Sequence, residues 1–212
     1  MWEGIAGDAV RSLLVSGCAT LLASICGVPL GVYLGLKKMR RKGALKTIIY
    51  TFYGFPPVVM GLFIYLLLSS SGPLGFLHML FTIPAMIIAE FLLAFPLVLG
   101  ITMSAVASIP AEVSDAINVL GGSRWDTLYL HLREAKNGIL AAVMVGFGSA
   151  ISEVGAAMIV GGNIEGSTSV LTTSIMVSTR SGNFELALWL SLILLLLCLG
   201  IYGILAKLEE ER

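Results

Sequence analysis

The stretch SLLVSGCATLLASICGVPLGVYLGL, from Ser12 to Leu36, holds 25 consecutive residues without a charge. An α-helix rises about 1.5 Å per residue, so a run of this length crosses the roughly 30 Å hydrocarbon core of a bilayer. The whole chain has this character, because 57% of its 212 residues are hydrophobic and only 12% are charged. A soluble domain carries about a quarter charged residues. The sequence therefore predicts an all-α integral membrane protein.

Charged residues divide the chain into five predicted transmembrane helices. The long runs without a charge are Ser12 to Leu36, Thr47 to Ala89, Phe91 to Ala111 and Leu186 to Ala206. The run from Asn137 to Ile164 contains a single acid, Glu153. The second run suits two crossings, with a turn at Ser69-Ser70-Ser71-Gly72-Pro73. We predict helices near residues 11–36, 46–69, 83–108, 138–160 and 185–206.

The distribution of positive charge predicts the orientation. Of the 13 Lys and Arg residues, 11 lie in the first loop, the third loop and the C-terminal tail, and only Arg11 and Arg180 fall on the opposite side. Positive residues concentrate on the cytoplasmic side of membrane proteins. We expect a multi-pass protein of the cell (cytoplasmic) membrane, with the N-terminus outside and the C-terminus in the cytoplasm. The net charge of zero gives no basic field for nucleic acid.

The third loop, residues 110–137, is predicted to be a hairpin of two short helices. Pro110 suits a helix start and Gly121-Gly122 suits its end. The apolar positions between them recur at helical spacing and are Val113, Ala116, Ile117 and Leu120. Ser123 can cap a second helix that begins Arg124-Trp125-Asp126. Periodicity alone leaves open whether this hairpin engages a partner or only lies on the membrane interface.

The hairpin resembles the coupling segment in membrane subunits of ATP-binding-cassette (ABC) importers. The signature of these permeases is Glu-Ala-Ala, three residues, Gly, nine residues, then Ile-x-Leu-Pro. Here Asp115-Ala116-Ile117 is followed by Asn118-Val119-Leu120 and Gly121, with Asp in place of Glu and Ile in place of the second Ala. His131-Leu132-Arg133-Glu134 stands where Ile-x-Leu-Pro is usual. This departure implies that the second helix runs on smoothly into the fourth span.

Other segments resemble the tungstate and molybdate (oxyanion) branch of these permeases. They are Gly54 to Leu62 with Pro56-Pro57-Val58-Val59, Phe147 to Ala156, Gly161-Gly162-Asn163-Ile164, and Leu171 to Ile175. The resemblance covers most of residues 12–206, and Leu132-Arg133-Glu134-Ala135 is most similar to the tungstate permeases. It implies one permease domain over residues 1–212, with a cytoplasmic coupling segment at 110–137 between spans 3 and 4.

The resemblance also implies the partners and the source of energy. A second copy of the permease, two ABC ATPase subunits and a periplasmic or extracellular oxyanion-binding protein are expected, all at the lipid bilayer. The sequence contains no Gly-x-x-x-x-Gly-Lys-Ser/Thr phosphate loop, so ATP and Mg are expected in the ATPase partner. We expect no cofactor, metal or catalytic residue in this chain. The residues implied to couple to the ATPase are Asp115, Ala116, Gly121, Gly122, Arg124 and Trp125.

Several residues are candidates for the translocation path. Pro56-Pro57 is expected to break the second span, either at the path or only as a bend in a packed helix. Because no Lys or Arg lies deep in a span, a passing anion would meet hydroxyls such as those of Ser149, Ser152 and Thr102. The two deep acids, Glu90 and Glu153, lie about 10 Å below the outer surface. Glu153 is the candidate for holding an outer gate, and a purely structural role is the alternative for both acids.

Other interpretations stay open at this stage. Ala23, Gly27, Gly31 and Gly35 recur every fourth residue, and this stripe predicts close helix packing, within one subunit or against a second copy. The segment 161–185 is predicted to be an outer loop that meets the binding protein or dips partly into the membrane. The alternative functions are an ABC permease for sulfate or an amino acid, or an intramembrane enzyme or proton-coupled carrier that uses Glu90 and Glu153.

Overall fold

The computed structural model describes residues 2–37, 42–110, 112–113, 119 and 121–210. All regular secondary structure in these residues is helical, as predicted. A short 3₁₀ helix covers Gly75–Leu77. The α-helices are α1 (Trp2–Leu36), α2 (Lys42–Tyr53), α3 (Pro57–Leu68), α4 (Ile83–Ala107), α5 (Arg124–Glu134), α6 (Lys136–Ile151), α7 (Gly155–Gly161), α8 (Leu171–Arg180) and α9 (Phe184–Glu210).

The helices provide up to five membrane spans. Among the described residues, α1, α4 and α9 are each long and apolar enough to cross a bilayer unaided. The pairs α2–α3 and α6–α7 each give one further crossing when they are counted as broken spans, with bends of 94° and 56° respectively. The predicted number of five spans therefore agrees with the structure when each broken pair is counted as one span. The broken pairs are then the second and the fourth spans.

The centre of the fold is the contact between α1 and α4, the most extensive between any two helices of the described chain. The two helices run side by side in the same direction, and the glycines of α1 permit their close approach. A Cβ on Gly31 would lie 2.6 Å from the Leu99 carbonyl oxygen, and one on Gly35 would lie 2.8 Å from the Val106 Cβ. The predicted small-residue stripe therefore packs within one subunit.

Loops and helix ends define two faces of the bundle. The N-terminal face carries the start of α1, residues 69–82 and residues 162–183. The start of α1 is joined to residues 162–183 by hydrogen bonds such as that from the Leu171 amide to Ser12 Oγ (2.8 Å). The C-terminal face carries residues 108–110, residues 121–135 and the end of α9. A core between α1, α3, α4 and α7 fills the half of the bundle nearer the N-terminal face.

The predicted boundaries need four corrections. Residues 46–69 form two helices instead of one, and 138–160 are interrupted at Ser152-Glu153-Val154. The predicted outer loop 161–185 contains a helix, α8, whose start is fixed by the Thr173 hydroxyl accepting from the Val170 amide. The first helix begins at Trp2, nine residues earlier than predicted, because the polar residues in its first turns bond to the loop before α8.

Candidate functional site

The second span is broken at Gly54-Phe55-Pro56. The residue before a proline is disfavoured in the helical region, and Pro56 accordingly adopts an extended conformation (φ −62°, ψ 121°) before Pro57 starts α3. Single prolines at Pro29 and Pro96 lie inside α1 and α4 without ending them. The tandem prolines therefore redirect the span by 94°, as the sequence predicted.

The fourth span is broken at Ser152-Glu153-Val154, and Glu153 organises the break. Its Oε1 accepts a hydrogen bond from the Ala156 amide in the first turn of α7 (2.8 Å), and its carbonyl oxygen accepts one from the Thr172 hydroxyl (2.9 Å). The side chain is buried, with 8% of its surface exposed. Glu153 thus caps α7 and ties the break to the start of α8.

The two broken spans pack against each other, break to break. A Cβ on Gly155 would lie 2.7 Å from the Val58 Cγ2, and one on Gly61 would lie 2.7 Å from the Ala156 Cα. Glycine at both positions lets α3 and α7 approach at this level. We call this contact of residues 54–61 with residues 152–156 the paired breaks.

The paired breaks bring together four of the five predicted path residues. Pro56 and Pro57 lie at one break and Ser152 and Glu153 at the other, with Pro56 and Ser152 exposed. The Ser152 hydroxyl donates to the carbonyl oxygen of Gly148 (2.7 Å). Ser149 lies one turn earlier on α6 and is half-buried. Thr102 lies elsewhere, fully buried against Gly31 in the contact of α4 with α1.

Replacing Glu153 tests whether the cap or the charge matters. We expect Glu153→Ala to lower the free energy of unfolding by about 1–3 kcal/mol, because the buried Ala156 amide loses its acceptor. Glu153→Gln keeps an oxygen at that position, so we expect a stability close to that of the wild type. Denaturant unfolding in detergent micelles measures both. Equal losses in the two variants would mean that the negative charge, not the hydrogen bond, stabilises the break.

Glu90 lies on α4 and is 2% exposed. Ser16 of α1 and the Glu153 carboxyl both lie close enough to influence it electrostatically. The sequence placed the two acids at one depth, and the structure brings them into a common environment.

A cluster of polar residues on the N-terminal face was not predicted. Arg11 donates from Nε to the Ser169 carbonyl oxygen (2.7 Å) and from Nη2 to Asp8 Oδ1 (2.5 Å) and Ser169 Oγ (3.0 Å). Asp8 accepts further hydrogen bonds from the hydroxyls of Ser169 (2.7 Å) and Ser174 (2.5 Å). We call these four residues the N-terminal clamp. They border a cavity of about 440 Å³ that also reaches Asn163, Glu165 and Leu186.

The predicted coupling segment is described in part. Asp115 and Ala116 lie outside the described residues. Gly121 has φ +73°, which favours glycine, and Gly122 and Ser123 lead directly into α5, which begins at Arg124 as predicted. Only Ala135, itself in the right-handed helical region, separates α5 from α6. The expected smooth continuation into the fourth span is therefore present.

A capping box fixes the start of α5. The hydroxyl and amide of Ser123 each donate to Asp126 Oδ2 (both 2.7 Å), and the Asp126 amide donates to Ser123 Oγ (3.3 Å). The hydroxyl first, and then the amide, lowers the pKa of Asp126. The stabilising contribution of the ionised Asp126 carboxylate to the cap is therefore fully present at a pH above the usual pKa of aspartate. It is lost as the pH falls through the lowered pKa. On the surface of α5, Trp125 is 77% exposed.

Comparison with known proteins identifies the family of the chain. Residues 27–211 match the family described as binding-protein-dependent transport system inner membrane component. The chain belongs to this family of multi-pass membrane permeases.

Two relatives and one solved structure are similar to the chain over most of its length. The chain is 42% identical to a probable anion ABC transporter permease protein of Haloferax volcanii, and 40% identical to the tungstate uptake system permease protein TupB of Peptoclostridium acidaminophilum. Each alignment covers 94% of this chain and 88% of the relative. Among solved structures, an inward-facing MetNI methionine ABC transporter chain is similar with a TM-score of 0.76, over 98% of this chain and 95% of that one, at 15% identity. This last similarity shows the fold.

Proposed function

We propose that this chain is the membrane-spanning permease subunit of an ATP-driven importer and forms the translocation path for an oxyanion, tungstate first and molybdate second. One permease domain then spans residues 1–212. The observation that carries the proposal is the contact of two broken spans at the paired breaks. Broken helices at membrane depth are tolerated where they are buried in protein or line a water-filled path. The names of the relatives supply the class of cargo.

The chemistry of the paired breaks suits a path for an anion that must leave again. The long uncharged runs leave no Lys or Arg deep in a span, and conduction requires sites weak enough to release the ion. Backbone groups at the breaks, together with the hydroxyls of Ser149 and Ser152, offer passing hydrogen bonds without trapping the cargo. Glu153 contributes by holding α7 in place, and movement of α7 opens or closes the path on the N-terminal side.

Coupling to ATP takes place on the C-terminal face. In this proposal a separate ATPase subunit binds ATP and Mg and holds the segment that contains Asp115, Ala116, Gly121, Gly122 and Arg124. The near-continuous α5 and α6 would carry its movement to the break at Ser152-Glu153-Val154 as a rigid body. The chain itself acts as a non-catalytic subunit of the complex.

The predicted orientation in the membrane indicates where the remaining partners bind. From the loop charges we infer that the N-terminal face lies outside the cell and the C-terminus in the cytoplasm. An external oxyanion-binding protein would meet residues 161–185 beside the N-terminal clamp, where the 440 Å³ cavity is open to it. A second permease copy would complete the path, and two ATPase subunits would complete the importer.

Elemental analysis of cells tests the cargo. Cells with and without this subunit, lacking any second importer, are grown in trace tungstate and molybdate with excess sulfate. We expect loss of tungsten, alone or together with molybdenum, and restoration by the wild-type subunit. Unchanged tungsten and molybdenum with reduced sulfur uptake would favour a sulfate permease instead. Unchanged levels of all three would reject the oxyanion assignment.

Replacing Trp125 tests the coupling face. Trp125→Ala should leave stability within about 0.5 kcal/mol, because the side chain is exposed. An interface tryptophan that contributes about 2 kcal/mol would weaken ATPase binding roughly 30-fold. Affinity of the purified ATPase for the reconstituted permease measures this, with Phe184→Ala, an exposed aromatic residue at the start of α9, as the control. Unchanged ATPase affinity in Trp125→Ala would favour a membrane-interface anchor.

A further inference from the structure

Residues 168–172, which we call the outer strap, lie between an exposed turn and the helix α7. All five are buried, and the strap ends in the first turn of α8. Two of the five are threonines, Thr168 and Thr172, and the hydroxyl of each donates a hydrogen bond to a carbonyl oxygen outside the strap. Buried hydroxyls that bond to another element join the two elements at a defined position.

The outer strap holds α7 at both of its ends. The Thr172 hydroxyl donates to the Glu153 carbonyl oxygen in the break before α7 (2.9 Å). The Thr168 hydroxyl donates to the carbonyl oxygen of Gly161, the last residue of α7 (2.5 Å). Because α7 has only seven residues, its own backbone bonds are few and the contacts at its ends help to determine its position. A displacement of the strap therefore moves α7 or breaks these two bonds.

The outer strap is also bonded to α1. Arg11 donates from Nε to the Ser169 carbonyl oxygen (2.7 Å), and the Leu171 amide donates to Ser12 Oγ (2.8 Å). These bonds lie between the two threonines in the sequence. Since α1 packs closely along α4, it is the fixed support of the strap, and the short helix α7 is the part that can move.

A stiff turn precedes the outer strap on the N-terminal face. Residues 164–167 are all exposed. The Ile164 carbonyl oxygen accepts hydrogen bonds from the amides of residues 167, 168 and 169 (3.0, 2.9 and 3.0 Å). The Ile164 amide donates in turn to the Thr168 hydroxyl (3.0 Å). A partner that moves this turn from outside therefore moves Thr168 with it.

The break at Ser152-Glu153-Val154 receives an element from the other face as well. The helices α5 and α6 lead from the coupling segment to this break, and Thr172 bonds to the Glu153 carbonyl oxygen inside it. The hydrogen bond of Thr172 therefore lies where the helices of the C-terminal face end and the outer strap begins.

We propose that Thr172 is a positioning residue that couples the N-terminal face to α7. Its hydroxyl ties the break at Glu153 to the outer strap, and Thr168 ties the far end of α7 to the same strap. A binding protein that presses on residues 164–167 shifts α7 and the break together as a rigid body, and the break passes the shift to α6. The identity of this outer partner rests on the proposed function, whereas the link from strap to α7 does not.

Hydrogen–deuterium exchange of the full chain in lipid nanodiscs tests the link without any partner. Thr172→Val keeps the branched shape of the side chain and removes its hydroxyl. We expect the amides of residues 155–161 to exchange roughly tenfold faster, while α1 and α4 keep wild-type rates. Thr172→Ser retains a hydroxyl and should restore slow exchange. Unchanged exchange of α7 in Thr172→Val, or an equal increase in every helix, would overturn the proposal.

The matched control is Thr179→Val on the same helix. The Thr179 hydroxyl donates within α8, to the Ile175 carbonyl oxygen (2.8 Å). Its removal should leave the exchange of α7 at the wild-type rate. An increase in α7 as large as that of Thr172→Val would show that any hydroxyl lost from α8 loosens α7, and would reject a specific role for Thr172.

ATP hydrolysis by the assembled importer tests the coupling. The additions are the purified ATPase partner and the binding protein loaded with tungstate. We expect Thr172→Val to bind the loaded binding protein with wild-type affinity but to lose about fivefold or more of the stimulation of ATP hydrolysis, which Thr172→Ser retains. A purely structural role would not separate affinity from stimulation. Wild-type stimulation in Thr172→Val would reject the coupling role.

Two further outcomes are distinguished by the same measurements. If Thr172→Val does not fold, Thr168→Val replaces it, since release of the other end of α7 should also raise exchange in residues 155–161, and unchanged exchange would overturn the link. If the loaded binding protein neither binds the wild type nor stimulates ATP hydrolysis, the proposed function fails. The exchange of α7 in the isolated chain then still supports or rejects the link.

Discussion

Replacing Arg11 by alanine is expected to lower the free energy of unfolding by about 3–5 kcal/mol. Arg11 forms a salt bridge with Asp8 that is largely buried, with 16% of the Arg11 and 12% of the Asp8 side chain exposed. Removal of the guanidinium group would leave a buried carboxylate without its cation and would free the Ser169 carbonyl oxygen. Thermal or denaturant unfolding of the permease in micelles measures the loss, and uptake should fall with it, because the loop before α8 is released.

Two controls show whether the clamp explains the loss. Arg180→Ala removes another arginine on the same face, one that is exposed, so we expect a change within about 0.5 kcal/mol. The double variant Asp8→Ala with Arg11→Ala should recover part of the stability, since no unpaired charge remains. If Arg11→Ala were no worse than Arg180→Ala, the clamp would not contribute to the fold.

A methyl group added at Gly31 should destabilise the protein by about 3 kcal/mol, at the upper end of the usual range for overpacking. The new Cβ would lie 2.6 Å from the Leu99 carbonyl oxygen and 2.8 Å from the Thr102 Cβ. Backbone atoms have no alternative rotamer, so α1 and α4 would have to separate along their length. The unfolding transition of Gly31→Ala in micelles measures the effect.

The matched control for Gly31→Ala is Gly17→Ala on the same helix. A Cβ at Gly17 has no atom within 4 Å, and alanine favours a helix over glycine by about 1 kcal/mol. Gly17→Ala should therefore be neutral or slightly stabilising. Equal destabilisation by both substitutions would show that glycine is needed along α1 for a reason other than contact with α4.

The sequence predicts the elements that depend on local chemistry. Long uncharged runs determine the spans, tandem prolines determine the break before Pro57, and Ser123 determines the start of α5. Each of these signals lies within a few residues of the feature that it predicts. The family was also predictable from the sequence. The resemblance of the coupling segment and of Pro56-Pro57 to ABC importer permeases agrees with the family that the chain matches.

The features that sequence reasoning missed depend on contacts between distant residues. The break at Ser152-Glu153-Val154 contains neither proline nor glycine, and it is held by the capping bond of Glu153 and by Thr172 from another element. The N-terminal clamp joins residues 158 to 166 positions apart. The only local sign of it was the spacing of Asp8 and Arg11, one turn apart at the predicted start of the first helix.

The N-terminal clamp also has a consequence for how the protein is made. The glycine face of α1 can pack against α4 as soon as α4 has been synthesised. Asp8 and Arg11 can bond to Ser169 and Ser174 only after a longer interval, counted from their own synthesis, when those residues have also been synthesised. At a synthesis rate of about 5–20 residues per second, that interval is roughly 10–30 s. During this time the newly inserted chain carries an ion pair at its first turns whose other partners do not yet exist. Biogenesis therefore proceeds from the centre of the bundle towards the N-terminal face, and the clamp closes among the last contacts.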